Sequence, residues 1–311
     1  MPFATSGHAR IRTNVPAENA YNALDASNRS IALRQLRLST GKRINSAADD
    51  VAGYITSRAL QARNGALKAA LKAVGDATNV SQIIMDALDN INNLLNSIKE
   101  STATAASGAM GTDEKVALAK AAFRMIQQVQ TVVDSTVFGG KQLISGTYSA
   151  DFIIGTNATH NLLTIGIRMT PENDDFNVDN RNFNINSLIT DHFAGVTNLN
   201  LLNFNSISAT NLGIFEGNQI NLTLASLSES IDNVNKVASY VGGIVNRLES
   251  QEDLLKSQIV NYNAAISRIE DADVALEQLN LIKSQFLQQA SLISLSQANQ
   301  DPNSYIQLIR G

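Results

Sequence analysis

The chain has 311 residues, of which 44% are hydrophobic and 5% aromatic, with no tryptophan, no cysteine and a formal net charge of -4. Disulfide scaffolds, thiolate metal sites and cysteine nucleophiles are thereby excluded, and no Lys/Arg-rich run offers a groove for nucleic acid. With so few aromatic residues, packing falls to Ala, Leu, Ile and Val, which suits helix–helix seams better than thick sheet cores.

No segment reaches the ~18 consecutive apolar residues that span a bilayer, so no membrane insertion is expected. Met1 to His8 lacks a basic region followed by an apolar run. The reading is therefore of no cleaved signal peptide, and any export takes another route.

Prolines stand only at Pro2, Pro16, Pro171 and Pro302, which leaves two long intervals open to helix. The first helix is predicted to begin at Pro16, a first-turn proline. It carries Leu24, Ile31 and Leu38 at every seventh position and should break at Gly41. Residues 41–57 read as a connector followed by a new helix, with Ser46 as a candidate cap and Asp49 as a near-match to a capping box. From about 74 to 105, Val80, Ile84, Ala87, Ile91, Leu94, Ile98 and Thr102 alternate steps of four and three, a heptad seam. Ser107 to Gly111 ends it. Thr112 or Asp113 can cap the next helix, whose seam is Ala119, Ala122, Ile126, Val129 and Val133.

Gly139-Gly140 and Gly146 then mark a change of character. Phe152-Ile153-Ile154 and Leu162 to Met169 flank a turn-rich linker and predict a β-hairpin. Residues 171–215, rich in Asn, Asp and Ser, predict a small irregular or β-containing insert. Helical period returns near 225 with Val234, Val237, Val241, Ile244, Leu248, Leu255, Tyr262, Ile266, Ile269, Leu276, Leu279 and Phe286. Read as one helix of ~70 residues, it would reach about 105 Å. Gln251 and Gln258 are polar interruptions able to fix register. The fold class expected is mainly α: a long antiparallel helical bundle or coiled coil from both chain ends, with a small central β-hairpin region.

Three stretches resemble one family. Leu38-Ser39-Thr40-Gly41-Lys42-Arg43-Ile44-Asn45-Ser46-Ala47-Ala48-Asp49-Asp50-Val51-Ala52-Gly53 resembles the N-terminal signature of bacterial flagellins, and Ile11-Arg12-Thr13-Asn14 their opening segment. Ser267-Arg268-Ile269-Glu270-Asp271-Ala272-Asp273, with Gln288-Gln289-Ala290 and Gln297-Ala298-Asn299-Gln300, resembles their C-terminal signature. Gly243 to Leu248 is similar to the segment before it, and Phe152 to Asn157 to a central hairpin motif. The resemblance covers about residues 10–170 and 225–310. The residues before Ile11 and the bulky Tyr54 depart from the pattern.

The resemblance implies a flagellin of the short type, a structural filament subunit and not an enzyme, with no cofactor. It implies residues 1–45 and 265–311 as an inner terminal coiled-coil domain, 46–170 and 216–264 as a helical bundle with the hairpin, and 171–215 as the insert. Residues expected to carry self-assembly are the seam side chains Leu24, Ile31, Leu38, Leu276, Leu279 and Phe286. The signature residues Arg43, Ile44, Asn45, Arg268, Ile269, Asp271, Asp273, Gln289, Gln297 and Asn299 join them. Implied partners are further copies in a helical homopolymer, the flagellar export apparatus and its chaperone, the filament cap and the hook-junction proteins. The implied location is a flagellum, extracellular or periplasmic. Some flagellins present an Arg, and a Leu four residues later, to Toll-like receptor 5; this chain has Ser97 and Ser101 there, and Gln128 where a Glu is expected, so weak recognition follows.

Other signals favour bland readings. His8, His160 and His192 share no ligand spacing, and Asp191-His192 has no nucleophile elbow around it. Glu172-Asn173-Asp174-Asp175 with Asp179 lacks the Gly and terminal Glu of a calcium loop. Asn157-Ala158-Thr159 and Asn221-Leu222-Thr223 match the N-glycan acceptor triplet, a frequent chance pattern. The rivals are a hook–filament junction protein of the same superfamily, a helical-bundle enzyme, for which no acid–base or phosphate-binding constellation is found, and a coiled-coil adhesin, which should carry a signal peptide.

Overall fold

A computed structural model describes residues 13–156, 162–169, 192–193, 196–197, 208, 210, 212, 215, 217 and 219–310. Five long helices and three short hairpins make up the described chain: α1 (Val15–Thr40), α2 (Val51–Ala105), α3 (Thr112–Ser135), β1 (Val137–Phe138), β2 (Lys141–Gln142), β3 (Ser149–Thr156), β4 (Leu162–Arg168), β5 (His192–Phe193), β6 (Val196–Thr197), α4 (Ile220–Glu270) and α5 (Val274–Arg310). It is the mainly helical fold with a central hairpin region that the periodicity predicts. By contact the chain divides into one unit of residues 1–64 and 260–311 and another of residues 65–259.

The unit of residues 65–259 holds the apolar core. Along α2 the buried residues Ala70, Val74, Ala77, Ser81, Ile84, Leu88, Ile91, Leu95, Ile98, Thr102 and Ala105 follow an unbroken alternation of four and three, with Val80 and Ala87 buried beside them. Six of the seven seam residues expected from sequence, Val80, Ile84, Ala87, Ile91, Ile98 and Thr102, are buried, and Leu94 is half-buried. Leu95 is fully buried where Leu94 was expected, because the facing helices cover the side of the turn that Leu95 occupies. On α3 the predicted Ala119, Ala122, Ile126, Val129 and Val133 are all buried. Its N-cap is Gly111, not Thr112 or Asp113, and the Glu114 carboxylate accepts the Gly111 N–H at 3.2 Å. Val234, Val237, Val241, Ile244, Leu248 and Leu255 of α4 close the core.

One of the three hairpins, β3–β4, adds side chains to this core. β1 and β2 turn through Gly139 (φ 56°) and Gly140 (φ 81°), two successive left-handed residues that a side chain would strain. β3 and β4 pair antiparallel as predicted, with an irregularity between Ile153 and Gly155, and deliver Ile154, Ile165 and Ile167 to the core. Of the predicted insert, the described part includes the two-residue hairpin β5–β6 and the buried Phe215.

The unit of the two chain ends is built from α1, α5 and the ends of α2 and α4. Asn14 caps α1 by accepting the Ala17 N–H at 3.1 Å, Pro16 sits in the first turn, and Gly41 (φ 69°) ends the helix, as expected. Two expectations fail here. The cap of α2 is Asp50, whose carboxylate accepts the Gly53 N–H at 2.9 Å; Ser46 instead donates to Asp49 in a turn outside the helix. The single ~70-residue helix is also two, broken at residues 271–273.

Candidate assembly surface

The two signature segments, far apart in sequence, form one clasp. Lys42 and Asp271 make an antiparallel bridge. The Arg43 N–H donates to the Glu270 carbonyl at 2.6 Å, and the Ala272 N–H to that of Gly41 at 2.9 Å. The Arg43 guanidinium also donates to the Ile269 carbonyl at 2.9 Å. Breaking the long helix frees these backbone groups for the clasp, and Asp273 caps the restart by accepting the Ala275 and Leu276 N–H groups. Asn45 is held by its N–H to Asp49 and its side-chain amide to the Lys42 carbonyl. Ile44, 3% exposed, lies on the first turn of α2. A Cβ at Gly53 would stand 2.6 Å from both Ile44 Cδ1 and Asp50 Oδ2, so any larger residue would have to displace these two side chains.

Two buried carboxylates anchor the clasp. Glu270 receives Lys42 Nζ at 3.1 Å and the Gln61 amide at 2.7 Å. Glu277 receives Arg34 at 2.7 Å and Arg37 at 3.2 Å. Burial alone would raise both pKa values. The hydrogen bonds and positive charges of Lys42, Ser57 and Arg58 at Glu270, and of Arg34 and Arg37 at Glu277, outweigh it and hold both below the ordinary glutamate range. Asp49 is lowered too, chiefly by the Ser46 and Asn45 N–H groups.

Above the clasp α1 and α5 pack antiparallel, with Asn28 against Gln288 at 2.6 Å and the Asn14 amide on the Ala298 carbonyl at 2.6 Å. The facing stripe of α1 is Ala20, Leu24, Ser27, Ile31, Arg34 and Leu38. That of α5 is Glu277, Leu281, Ser284, Gln288, Ser291, Leu295 and Ala298. Both keep heptad spacing, but more than half of the members are small, polar or charged.

The apolar residues of α5 point elsewhere. Leu279, Phe286 and Ile293 are 62%, 67% and 72% exposed. Each stands two residues beyond a seam residue, roughly 200° around the helix. Leu276, Ile282 and Leu287 are exposed as well. So α5 has two heptad faces, a polar one turned to α1 and an apolar one open to solvent.

The predicted residues divide accordingly. Leu24, Ile31 and Leu38 are half-buried on the α1–α5 seam; Arg43, Ile44, Asn45, Ile269, Asp271 and Asp273 meet in the clasp. Leu276, Leu279 and Phe286 lie off the intramolecular seam that their period suggested, and Arg268, Gln289, Gln297 and Asn299 are exposed. Sequence reasoning missed Arg34, Arg37, Glu277, Lys42, Gln61, Glu270 and Gly53. A signal existed for Arg34, which interrupts the stripe between Ile31 and Leu38, and for Glu277, which opens the stripe of α5.

Other candidates find no support as sites. Among the described residues no three His, Asp or Glu side chains converge as metal ligands, and no helix is long and apolar enough to cross a membrane. Residues 1–12, His160, the acidic run 172–179, Asp191 and the Asn157 triplet lie outside the described residues. The Asn221 triplet is inside α4, where Thr223 is buried and bonded to the Gln219 carbonyl at 3.1 Å.

Comparison with known proteins covers both ends of the chain. Residues 11–149 match the bacterial flagellin N-terminal helical region, and residues 224–309 the bacterial flagellin C-terminal helical region. A flagellin of Bacillus subtilis is 28% identical, covering 97% of this chain and 100% of its own length. Polar flagellin B/D of Vibrio parahaemolyticus is 26% identical, covering 96% and 99%. Among solved structures, a putative flagellar hook-associated protein from Vibrio parahaemolyticus shares the fold with a TM-score of 0.55 at 14% identity, over 72% of this chain and 100% of that one.

Proposed function

The chain belongs to the bacterial flagellin family and is a structural subunit of the flagellar filament, and from that premise we propose that its α1–α5 layer is completed only by other copies of the chain. The observation that carries this is the exposed apolar face of α5. Ordering backbone costs about 1–2 kcal/mol per residue, and α1 and α5 have 26 and 37 residues. The seam between them, in which Leu24, Ile31, Leu38, Leu281 and Leu295 alternate with Ala, Ser, Gln and charged residues, offsets only part of that cost. Burying Leu279, Phe286 and Ile293 against neighbours adds about 1.5–3 kcal/mol each.

The terminal helices therefore order as copies add, and assembly couples the cost to the gain. The assembly residues are the α5 face with Leu276, Leu279 and Phe286, the polar Gln289, Gln297 and Asn299 around it, and the clasp residues that aim it. Each copy adds head to tail without closure, which makes a helix and not a ring. Chain ends that stay unfolded until assembly also suit export through a narrow channel. The export apparatus and its chaperone, the filament cap and the hook-junction proteins are then the encounters along the route.

Recognition by Toll-like receptor 5 is weak in this reading. Ser97 and Ser101 on α2 satisfy their hydroxyls on their own helix, at the Asn93 and Ser97 carbonyls, and Gln128 is neutral. A cell reporter assay should give little response, and a strong one would remove this part of the proposal.

Seeded polymerisation of purified monomer, read by sedimentation and electron microscopy, tests the whole. Long filaments that disappear on deleting residues 1–45 or 270–311 are expected. Monomers or short capped oligomers that persist with seeds would point to a hook–filament junction role instead.

A further inference from the structure

A second heptad face stands open on α2, and a complementary one on α4. Val51, Ile55, Arg58 and Ala62 follow one another at steps of four, three and four and are all exposed, Val51 at 62% and Ile55 at 64%. They lie opposite the face of α2 that carries the buried Ser57 and Asn64. Between residues 51 and 75, α2 has Arg58, Arg63, Lys68 and Lys72 and no carboxylate. Arg58 stacks on the Tyr54 ring at 5.0 Å, reaches Gln61 and acts on Glu270 through its charge, but forms no salt bridge among the described residues.

On α4, Ser250, Asp253, Leu254 and Ser257 share one exposed face. The run Glu249 to Asp253 is acidic. Glu252 is engaged by Lys256 at 2.6 Å, whereas Asp253 acts on Lys256 only through its charge and forms no salt bridge among the described residues. The α2 face is thus apolar and basic, and the α4 face is small, apolar and acidic.

Resting on the filament reading above, we infer that the outward face of α2 on one copy docks antiparallel on the outward face of α4 of the next, with Arg58 against Asp253. That pairing brings Ile55 opposite Ser257, with Leu254 alongside, and Ala62 opposite Ser250. The layers 55–257 and 62–250 share one antiparallel register, which sets Arg58 level with Leu254 and one residue from Asp253, within reach of its long side chain. Ala62 and the serines let the two backbones approach, while Ile55 and Leu254 supply the apolar contact. The arginine stacked on tyrosine is pre-ordered, which lowers the entropy lost on docking. Charge complementarity across the seam fixes its register and rejects a slip by one heptad.

The chain lacks cysteine, so an introduced pair reports contact between copies without background. Filaments of an Ile55→Cys/Ser257→Cys chain, oxidised and run on a denaturing gel, should give a ladder of multimers. Intact filaments with no disulfide, or with one only inside the chain, would overturn the seam and leave the filament reading standing. Wild-type chain that forms no filaments would remove both.

Charge exchange supplies a second readout. Arg58→Glu or Asp253→Arg alone should raise the critical concentration about tenfold, about 1.4 kcal/mol per subunit. An equimolar mixture of the two single variants should recover to about twofold of wild type, since every 58–253 contact in an alternating polymer is again attractive. Single variants that assemble normally, or a mixture as poor as its components, would contradict the seam.

Discussion

The bundle of residues 65–259 and the unit of the chain ends use the same heptad spacing to opposite effect. In the first, Ile84, Leu88, Ile91, Leu95 and Ile98 of α2 are fully covered by residues of the same chain. In the second, the covered positions of α5 hold Ser284, Gln288 and Ser291, while Phe286 and Ile293 face solvent. Period alone says that a helix has a face. Which residues occupy that face says whether the chain can cover it alone. The bundle covers its own apolar faces, whereas the terminal layer leaves one open, and in the function proposed above neighbouring copies cover it.

The largest change should come from the bundle. Leu88→Ala is expected to cost about 2–5 kcal/mol of monomer stability, through lost transfer energy and a cavity. Denaturant unfolding of the monomer would measure it, with filament formation below the lowered melting temperature preserved. Phe286→Ser should do the reverse. Monomer unfolding stays as it was, while the critical concentration rises about 30- to 100-fold for the roughly 2–3 kcal/mol of burial forgone. If both substitutions act on both readouts alike, the distinction between the regions collapses.

The clasp gives smaller effects. Gly53→Ala forces the new methyl onto Ile44 and Asp50, and should lower the melting temperature of filaments by the equivalent of about 1–3 kcal/mol, leaving the bundle transition in place. Smallest is the pH response. Glu270 and Glu277 have folded pKa values below the ordinary range, so their contribution is fully present above the unfolded value of about 4.3. It is lost as pH falls through the lower, folded values. Filament melting temperature should therefore fall with acid below that point, and Glu277→Gln should flatten part of the slope while lowering the neutral-pH value.

Much of this was legible in the chain. Pro16 and Gly41 mark the limits of α1 because fixed and left-handed φ values are local requirements. The seam of α3 was readable because one face of that helix is buried along its whole length. The break at residues 271–273 was not, since neither proline nor glycine announces it. It exists because Lys42 and Arg43, some 230 residues earlier, bind the freed backbone. Nor could period assign Leu279 and Phe286 to the outer face. A helix with two heptad faces gives the same spacing from either, and only the partner's position decides between them. The buried Arg34–Glu277 pair escaped notice for a related reason, because charges on a stripe read as interruptions until their partner is in view.

Completion of the terminal helices by neighbours is tested most directly by amide hydrogen exchange compared between monomer and filament. Residues 84–98 of α2 should be protected in both states. Residues 15–40 and 274–300 should exchange quickly in the monomer and become protected by at least about a hundredfold in the filament. Equal protection of α1 and α5 in both states would show a terminal layer stable by itself, and would contradict the account.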